Sequence, residues 1–154
     1  MKVILPGSYD PVTLGHLEII KKVAKMYSKV YVTVFINPKK SYRFTTEERT
    51  EMLRLATADI PNVVVDSYPG RVVDYMRKHG IEKIVKGFRN DSDLEYERVQ
   101  AEYNKREGGY ETELIPAMAE FADISSTLAR EKLASAAPLD KILPSAVIEF
   151  IKKH

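Results

Sequence analysis

Lys2-Val3-Ile4-Leu5-Pro6-Gly7-Ser8-Tyr9-Asp10-Pro11-Val12-Thr13-Leu14-Gly15-His16 opens the stretch that decides the fold of this chain. Lys2 to Leu5 is a short apolar run stopped by Pro6-Gly7, which reads as a buried strand. From Gly15 the period changes. Leu17, Ile20, Val23, Ala24 and Tyr27 recur at helical spacing, with Glu18, Lys21, Lys22 and Lys25 on the other face. Gly7 permits a tight turn off the strand, and Gly15-His16 opens the helix. An imidazole and free helix N–H groups then point to one place, which suits an anion such as a triphosphate.

The same alternation continues outward. Val30 to Ile36 is β-branched and aromatic and reads as a strand ended by Asn37-Pro38. Thr45 opens a helix to about Asp59, with Glu48 completing a capping box. Val63 to Val65 is a strand, Val72 to His79 a helix closed by Gly80, and Lys83 to Lys86 a strand. A charged helix from about Ser92 to Arg106 is broken by Gly108-Gly109 before a strand at Glu113 to Ile115. Helices at about Ser126 to Ala134 and Pro144 to Lys152 follow, the second with proline in its first turn. The pattern predicts α/β architecture: a Rossmann-like, doubly wound, five-stranded parallel sheet in a single domain over residues 1–154. Ligands of such sheets bind beyond the carboxyl ends of the strands. That selects Gly7 to His16, Asn37 to Phe44, Tyr68 to Val72, Gly87 to Arg89 and Ala117 to Thr127 as the site-bearing loops.

Composition narrows the chemistry. The 154 residues include no cysteine, which excludes thiolate catalysis, disulfides and cysteine-type zinc sites and fits a reducing compartment. Lys and Arg total 24 against 22 Asp and Glu, and the net charge of +2 with no basic stripe argues against a nucleic-acid partner. No apolar run matches a signal peptide or the roughly 20 residues of a membrane span, so the expectation is a soluble, cytoplasmic protein. With no clustered Asp/His spacing, a protein-held metal is not expected.

Gly7 to His16 resembles the T/H-x-G-H signature of the nucleotidylyltransferase superfamily, with its G-[ST]-[FY]-D-P preface. Thr13, where many members carry histidine, is similar to the phosphopantetheine adenylyltransferase family. Asn37-Pro38-Lys39-Lys40 before Phe44-Thr45-Thr46-Glu47-Glu48-Arg49 resembles that family's N/S-P-x-K and F-T-x-E-E-R. Val85-Lys86-Gly87-Phe88-Arg89 resembles I/V-R-G-L-R, Asp93-Leu94-Glu95-Tyr96-Glu97 resembles D-F/Y-E-Y-E, and Ile124-Ser125-Ser126-Thr127 resembles I-S-S-S/T.

The resemblance implies adenylyl transfer from ATP to 4′-phosphopantetheine, giving dephospho-coenzyme A and pyrophosphate, with Mg²⁺ carried by ATP. It implies His16 as transition-state stabiliser and Lys40 as the acceptor-phosphate contact. ATP would be met by Ser8, Tyr9, His16, Gly87, Phe88, Arg89, Glu97, Phe121, Ala122, Asp123, Ile124, Ser125, Ser126 and Thr127. The acceptor would be met by Ser8, Lys40, Val72 and Lys86. A homo-oligomer, specifically a hexamer, and inhibition by coenzyme A are implied in the same way.

Each residue also has a plainer reading. His16 can be a helix-start residue, Lys39 and Lys40 solvated charges, Glu95 and Glu97 helix-surface charges, and one of Ser125 and Ser126 an N-cap. His79, before Gly80, and the terminal His154 read as structural or surface residues. Three departures from the family pattern bear on the acceptor. Lys86 replaces an arginine, Arg71 stands where an apolar residue is usual, and Arg130 resembles the S-T-x-x-R ending of nicotinate-type relatives. The alternatives are therefore a sister enzyme acting on nicotinate mononucleotide and a non-enzymatic nucleotide-binding module. The latter would carry a late Gly-rich phosphate loop, which this chain lacks.

Overall fold

The computed structural model describes residues 1–154. Five strands, β1 (Lys2–Gly7), β2 (Lys29–Phe35), β3 (Val63–Tyr68), β4 (Lys83–Phe88) and β5 (Thr112–Pro116), form one sheet in the order β3-β2-β1-β4-β5. Every neighbouring pair is parallel. Six helices connect and follow them: α1 (Leu14–Met26), α2 (Thr46–Ala56), α3 (Val72–His79), α4 (Asp91–Gly108), α5 (Ser126–Ala134) and α6 (Ser145–Lys153). This is the doubly wound α/β fold expected from the alternation. No helix is long and apolar enough to cross a membrane.

The period of two along each strand divides the core. Val3 and Leu5 of β1 and Val30, Val32 and Val34 of β2 face α1, α2 and α6, meeting Ile19, Ile20, Val23, Met52, Leu53 and Val147. Ile4, Tyr31 and Ile84 face the other way, against Tyr75 and Met76 of α3. Burial on both faces is why these strands read as continuous apolar runs. His79 stacks on Tyr75 with centroids 4.1 Å apart, and His154 stacks on Phe150.

Several boundaries differ from the sequence reading, each for a local reason. β1 does not stop at Leu5 but continues through Pro6 to Gly7. Its ladder with β2 runs from Lys2 to Gly7, whereas its ladder with β4 comprises only Val3 with Lys83 and Ile4 with Ile84. Past Ile4 the central strand therefore has one open side, and a proline fits there as it does on an edge strand. β4 likewise runs on to Phe88, paired with Pro116 of β5. α2 ends at Ala56, not Asp59, because Thr57 closes it with both its N–H and its hydroxyl on the Leu53 carbonyl. Pro144 is the N-cap of α6 and not a first-turn residue. A single 3₁₀ turn, Ala119–Phe121, had no periodic signal to announce it.

Gly80 ends α3 in the left-handed region, at φ 64° and ψ 35°, with its N–H on the Met76 carbonyl. A Cβ there would meet no atom within 4 Å. Gly80→Ala therefore isolates backbone strain. We expect a loss of about 1–2 kcal/mol, read as a lower urea midpoint at unchanged m-value.

Candidate active site

The chain winds outward from β1 to β2 and β3, then crosses to the other side of β1 for β4 and β5. β1 and β4 thus flank the switch point, where open α/β sheets bind ligands. A cleft of about 580 Å³ lies there, lined from the sheet by Leu5, Pro6, Ile84 and Lys86. That volume falls within the usual range for small-molecule sites, roughly 300–1,000 Å³.

Thr13 caps α1, and His16 is its third residue. The His16 N–H donates to Thr13 Oγ1 at 3.2 Å, and the Thr13 N–H donates to His16 Nδ1 at 3.0 Å. Because an amide can only donate, Nδ1 must be the acceptor and Nε2 carries the proton of the neutral ring. The ring lines the cleft and lies edge-on to Tyr9, with centroids 5.0 Å apart. Burial first, then the charges of Lys86 and Arg89, push its pKa down to about 4. At neutral pH His16 is therefore an uncharged N–H donor fixed in one orientation. The expected cluster of free amides at this helix start is smaller than the sequence suggested. Leu14 donates to the Ile142 carbonyl and His16 to its own cap, leaving Gly15 in that turn.

On the β2 side, the exposed Lys40 reaches Ser8, with Nζ 3.4 Å from Oγ. On the β4 side, Lys86 turns inward, donating to the Pro6 carbonyl at 2.9 Å and lying 3.6 Å from Glu97 Oε2. It thereby bridges the gap between β4 and β1. Glu97 is buried while Glu95 is exposed. Burial raises the Glu97 carboxyl above its ordinary value against the pull of Lys86. Arg89 is held by Asp93 in a fork, Nε to Oδ2 at 2.9 Å and Nη2 to Oδ1 at 3.2 Å. Gly87 packs against Ile19, where an added Cβ would sit 3.1 Å from Cγ1. Ser125 is the N-cap of α5, its hydroxyl accepting the Leu128 N–H at 3.0 Å. Ser126 donates to the Pro11 carbonyl, and Thr127 accepts from Arg130. Only the Ser126 hydroxyl proton is committed, so this helix end presents its first-turn N–H groups together with the Ser125 and Thr127 hydroxyls as donors.

Residues 4–132 match the cytidylyltransferase-like family. The phosphopantetheine adenylyltransferase of Corynebacterium efficiens is 40% identical over 154 residues, covering 99% of this chain and 97% of that protein. That of Symbiobacterium thermophilum is 43% identical over 145 residues, covering 94% and 90%. The chain belongs to the phosphopantetheine adenylyltransferase family.

Of the residues singled out from the sequence of this family member, the cleft wall gathers Ser8, Tyr9, His16, Lys40, Val72, Lys86, Gly87, Phe88, Arg89, Glu97, Phe121, Ile124, Ser125, Ser126 and Thr127. The wall does not include Ala122 and Asp123, which follow the 3₁₀ turn. Arg71 is also outside the wall, tied to Asp74 and Glu107 on the surface. Arg130 lies inside it, with Nη1 on the Asp10 carbonyl at 2.8 Å. Asp10 and Arg49 were passed over in the sequence. Each is buried, and a buried charge inside a motif is a signal that only packing exposes. Gln100 and Asn104, one helical turn apart on α4, also line the cleft and carried no signal.

His16 links the site to acid stability. In the unfolded chain an imidazole takes a proton near pH 6.5, and in the fold not until about pH 4. Between these values the unfolded state holds the extra proton. The contribution is intact above pH 6.5 and is lost as pH falls toward 4. A histidine NMR titration should place the His16 midpoint near 4, with Nε2 protonated above it. A midpoint at the ordinary value would remove the neutral donor.

Proposed function

We propose that this protein transfers the adenylyl group of ATP to 4′-phosphopantetheine, giving dephospho-coenzyme A and pyrophosphate, as one nucleotidylyltransferase domain spanning residues 1–154. The observation that carries the reading is the fixed neutral ring of His16 in a cleft at the switch point. Lys40 and Ser8 lie on its β2 side, and Arg89 on its β4 side with the α5 start nearby. An acceptor phosphate oxygen attacks the α-phosphorus of ATP in line, and the bond to the bridging oxygen breaks as pyrophosphate leaves. The acceptor is already an anion, so no enzyme nucleophile is needed. The protein's part is positioning and stabilising charge.

In this reading the His16 Nε2–H donates to an α-phosphate oxygen as charge builds there. Lys40 and Ser8 orient the attacking phosphate from the β2 side, and Lys86 adds its charge from the β4 side. Arg89 has Nη1 left over from its fork with Asp93, and with the first-turn N–H groups at Ser125 to Thr127 it holds the departing pyrophosphate. Gly87, Phe88, Phe121 and Ile124 supply the wall for the nucleoside and Val72 a contact for the pantetheine arm. Nowhere do three carboxylate, histidine or cysteine side chains converge as metal ligands. Magnesium enters as part of the nucleotide substrate, held by its phosphate oxygens.

Two further properties belong to the same reading. Coenzyme A contains the acceptor's own arm, which supports product-like inhibition at this cleft. Tyr96, Val99 and Tyr103, exposed along one face of α4, support assembly into a homo-oligomer, with a hexamer as the form the family resemblance favours. A cytoplasmic location accords with a reaction between intracellular metabolites.

Purified protein with ATP and Mg²⁺ should release pyrophosphate when given 4′-phosphopantetheine. Release with nicotinate mononucleotide alone would replace this acceptor with the sister one. His16→Ala should lower turnover by about 10²–10³-fold, as for removal of a single transition-state donor, with the Michaelis constant for ATP changing much less. Near-normal turnover would remove His16 from the reaction.

A further inference from the structure

The loops after β1 and β2 carry Ser8 and Lys40, yet no ladder joins them, because the β1–β2 register ends at Gly7 and Val34. Two buried charged side chains connect these loops in opposite directions. Asp10, 3% exposed, reaches out from the first loop. Its Oδ2 accepts the Arg43 N–H at 2.8 Å and its Oδ1 the Phe44 N–H at 3.0 Å. Arg49 of α2, 1% exposed, reaches back to the first loop, with Nη1 donating to the Ser8 carbonyl at 2.9 Å. Its Nη2 donates to Thr46 Oγ1 at 3.2 Å, and its guanidinium carbon lies 3.8 Å from the centre of the Tyr42 ring. The Tyr42 hydroxyl in turn accepts the Asn37 N–H at 2.9 Å, and the Lys40 N–H donates to the Asn37 carbonyl. The chain of contacts therefore runs from the Ser8 backbone through Arg49 and Tyr42 to the base of the turn that presents Lys40.

Packing alone does not call for an arginine here. Its partners are a carbonyl, a hydroxyl and an aromatic face, and its buried Nε has none. A buried cation with such incomplete partners costs desolvation that an apolar side chain of similar length avoids. What methionine or leucine could not do is hold a carbonyl of one loop and stack on an aromatic ring of the other at once.

We propose that Arg49 is a positioning residue for the acceptor side of the site: together with Asp10 it latches the Ser8 loop to the Lys40 loop and sets the spacing of Ser8 Oγ and Lys40 Nζ. It touches no substrate. The inference rests on the reading that Ser8 and Lys40 receive the acceptor phosphate. An error of about 1 Å in such a pair is enough to cost on the order of 10²-fold in rate.

The test is Arg49→Met, which keeps the buried face of α2 apolar and filled. The latch predicts a Michaelis constant for 4′-phosphopantetheine raised roughly tenfold or more, with that for ATP nearly unchanged. The melting temperature should stay level or rise, because an incompletely paired charge has left the interior. Amide exchange should quicken in residues 37–44 and not in the sheet. Tyr42→Leu, in a partly exposed loop, should shift the acceptor constant and the exchange in the same direction, and it decides the matter if Arg49→Met does not fold. Arg49→Lys should recover only part of the loss, since an ammonium can reach the Ser8 carbonyl but cannot stack as a plane. A wild-type acceptor constant in both folded variants overturns the proposal, as does an equal rise for both substrates accompanied by a fall in melting temperature. If the wild-type protein makes no pyrophosphate from this acceptor, the functional reading fails, while exchange in residues 37–44 still decides the latch.

Discussion

Beyond the Ile4–Ile84 pair, β1 has a hydrogen-bonding neighbour on one side only, and the rest of the site is arranged around that parting. Two parallel strands that separate at a switch point leave a crevice whose floor is backbone and whose walls are the loops above it. The exposed edge must not keep unpaired polar groups. Pro6 removes a donor from it, and the Pro6 carbonyl is met by the Lys86 ammonium. Lys86 is at once the patch over the open edge and a charged group inside the cleft. Its second contact, with Glu97, anchors α4 to the same point. Without Lys86, the buried Glu97 carboxylate would lose the cation that offsets its desolvation.

The cleft carries a small excess of positive charge, in a chain of +2 overall. Lys40, Lys86, Arg89 and Arg130 all line it, against Asp10, Asp93 and Glu97. The cations favour a polyphosphate, and Lys86 and Arg89 add to burial, the larger cause, in disfavouring a proton on His16. The ring is left neutral, and its capping geometry leaves Nε2–H as the donor. A neutral donor can strengthen its bond as charge grows on a phosphate oxygen without exchanging a proton. In the proposed reaction the histidine acts through orientation, which the Thr13 cap supplies, and its own charge is not required.

The lysine at position 86 takes a definite meaning from this arrangement. An arginine could fork across two oxygens, whereas the ammonium is a point charge already committed to the Pro6 carbonyl and Glu97. Of the other two departures from the family pattern, Arg71 belongs to a surface ion-pair group with Asp74 and Glu107. Arg130 braces the first loop by holding the Asp10 carbonyl and Thr127. Only Lys86 and Arg130 stand where a ligand would meet them.

The alternation of short β-branched runs with amphipathic helices determined the sheet and its winding from the sequence alone, because a parallel sheet covered on both faces needs that pattern. The site's loops were legible too: once the fold is set, only the carboxyl ends of the strands are free. Thr45, Gly80 and the serines before α5 announced helix ends through capping chemistry that acts over a few residues. Tertiary structure decided everything that depends on which atoms meet across the chain. It placed Lys86 against Pro6, 80 residues away in sequence, and Ser126 on the Pro11 carbonyl. It buried Asp10 and Arg49 between loops and set the proton on one nitrogen of His16. Periodicity reports a residue's face and propensity reports its element. A hydrogen-bond partner, a desolvated charge or a shifted pKa depends on distances between segments, and those exist only after the chain has packed.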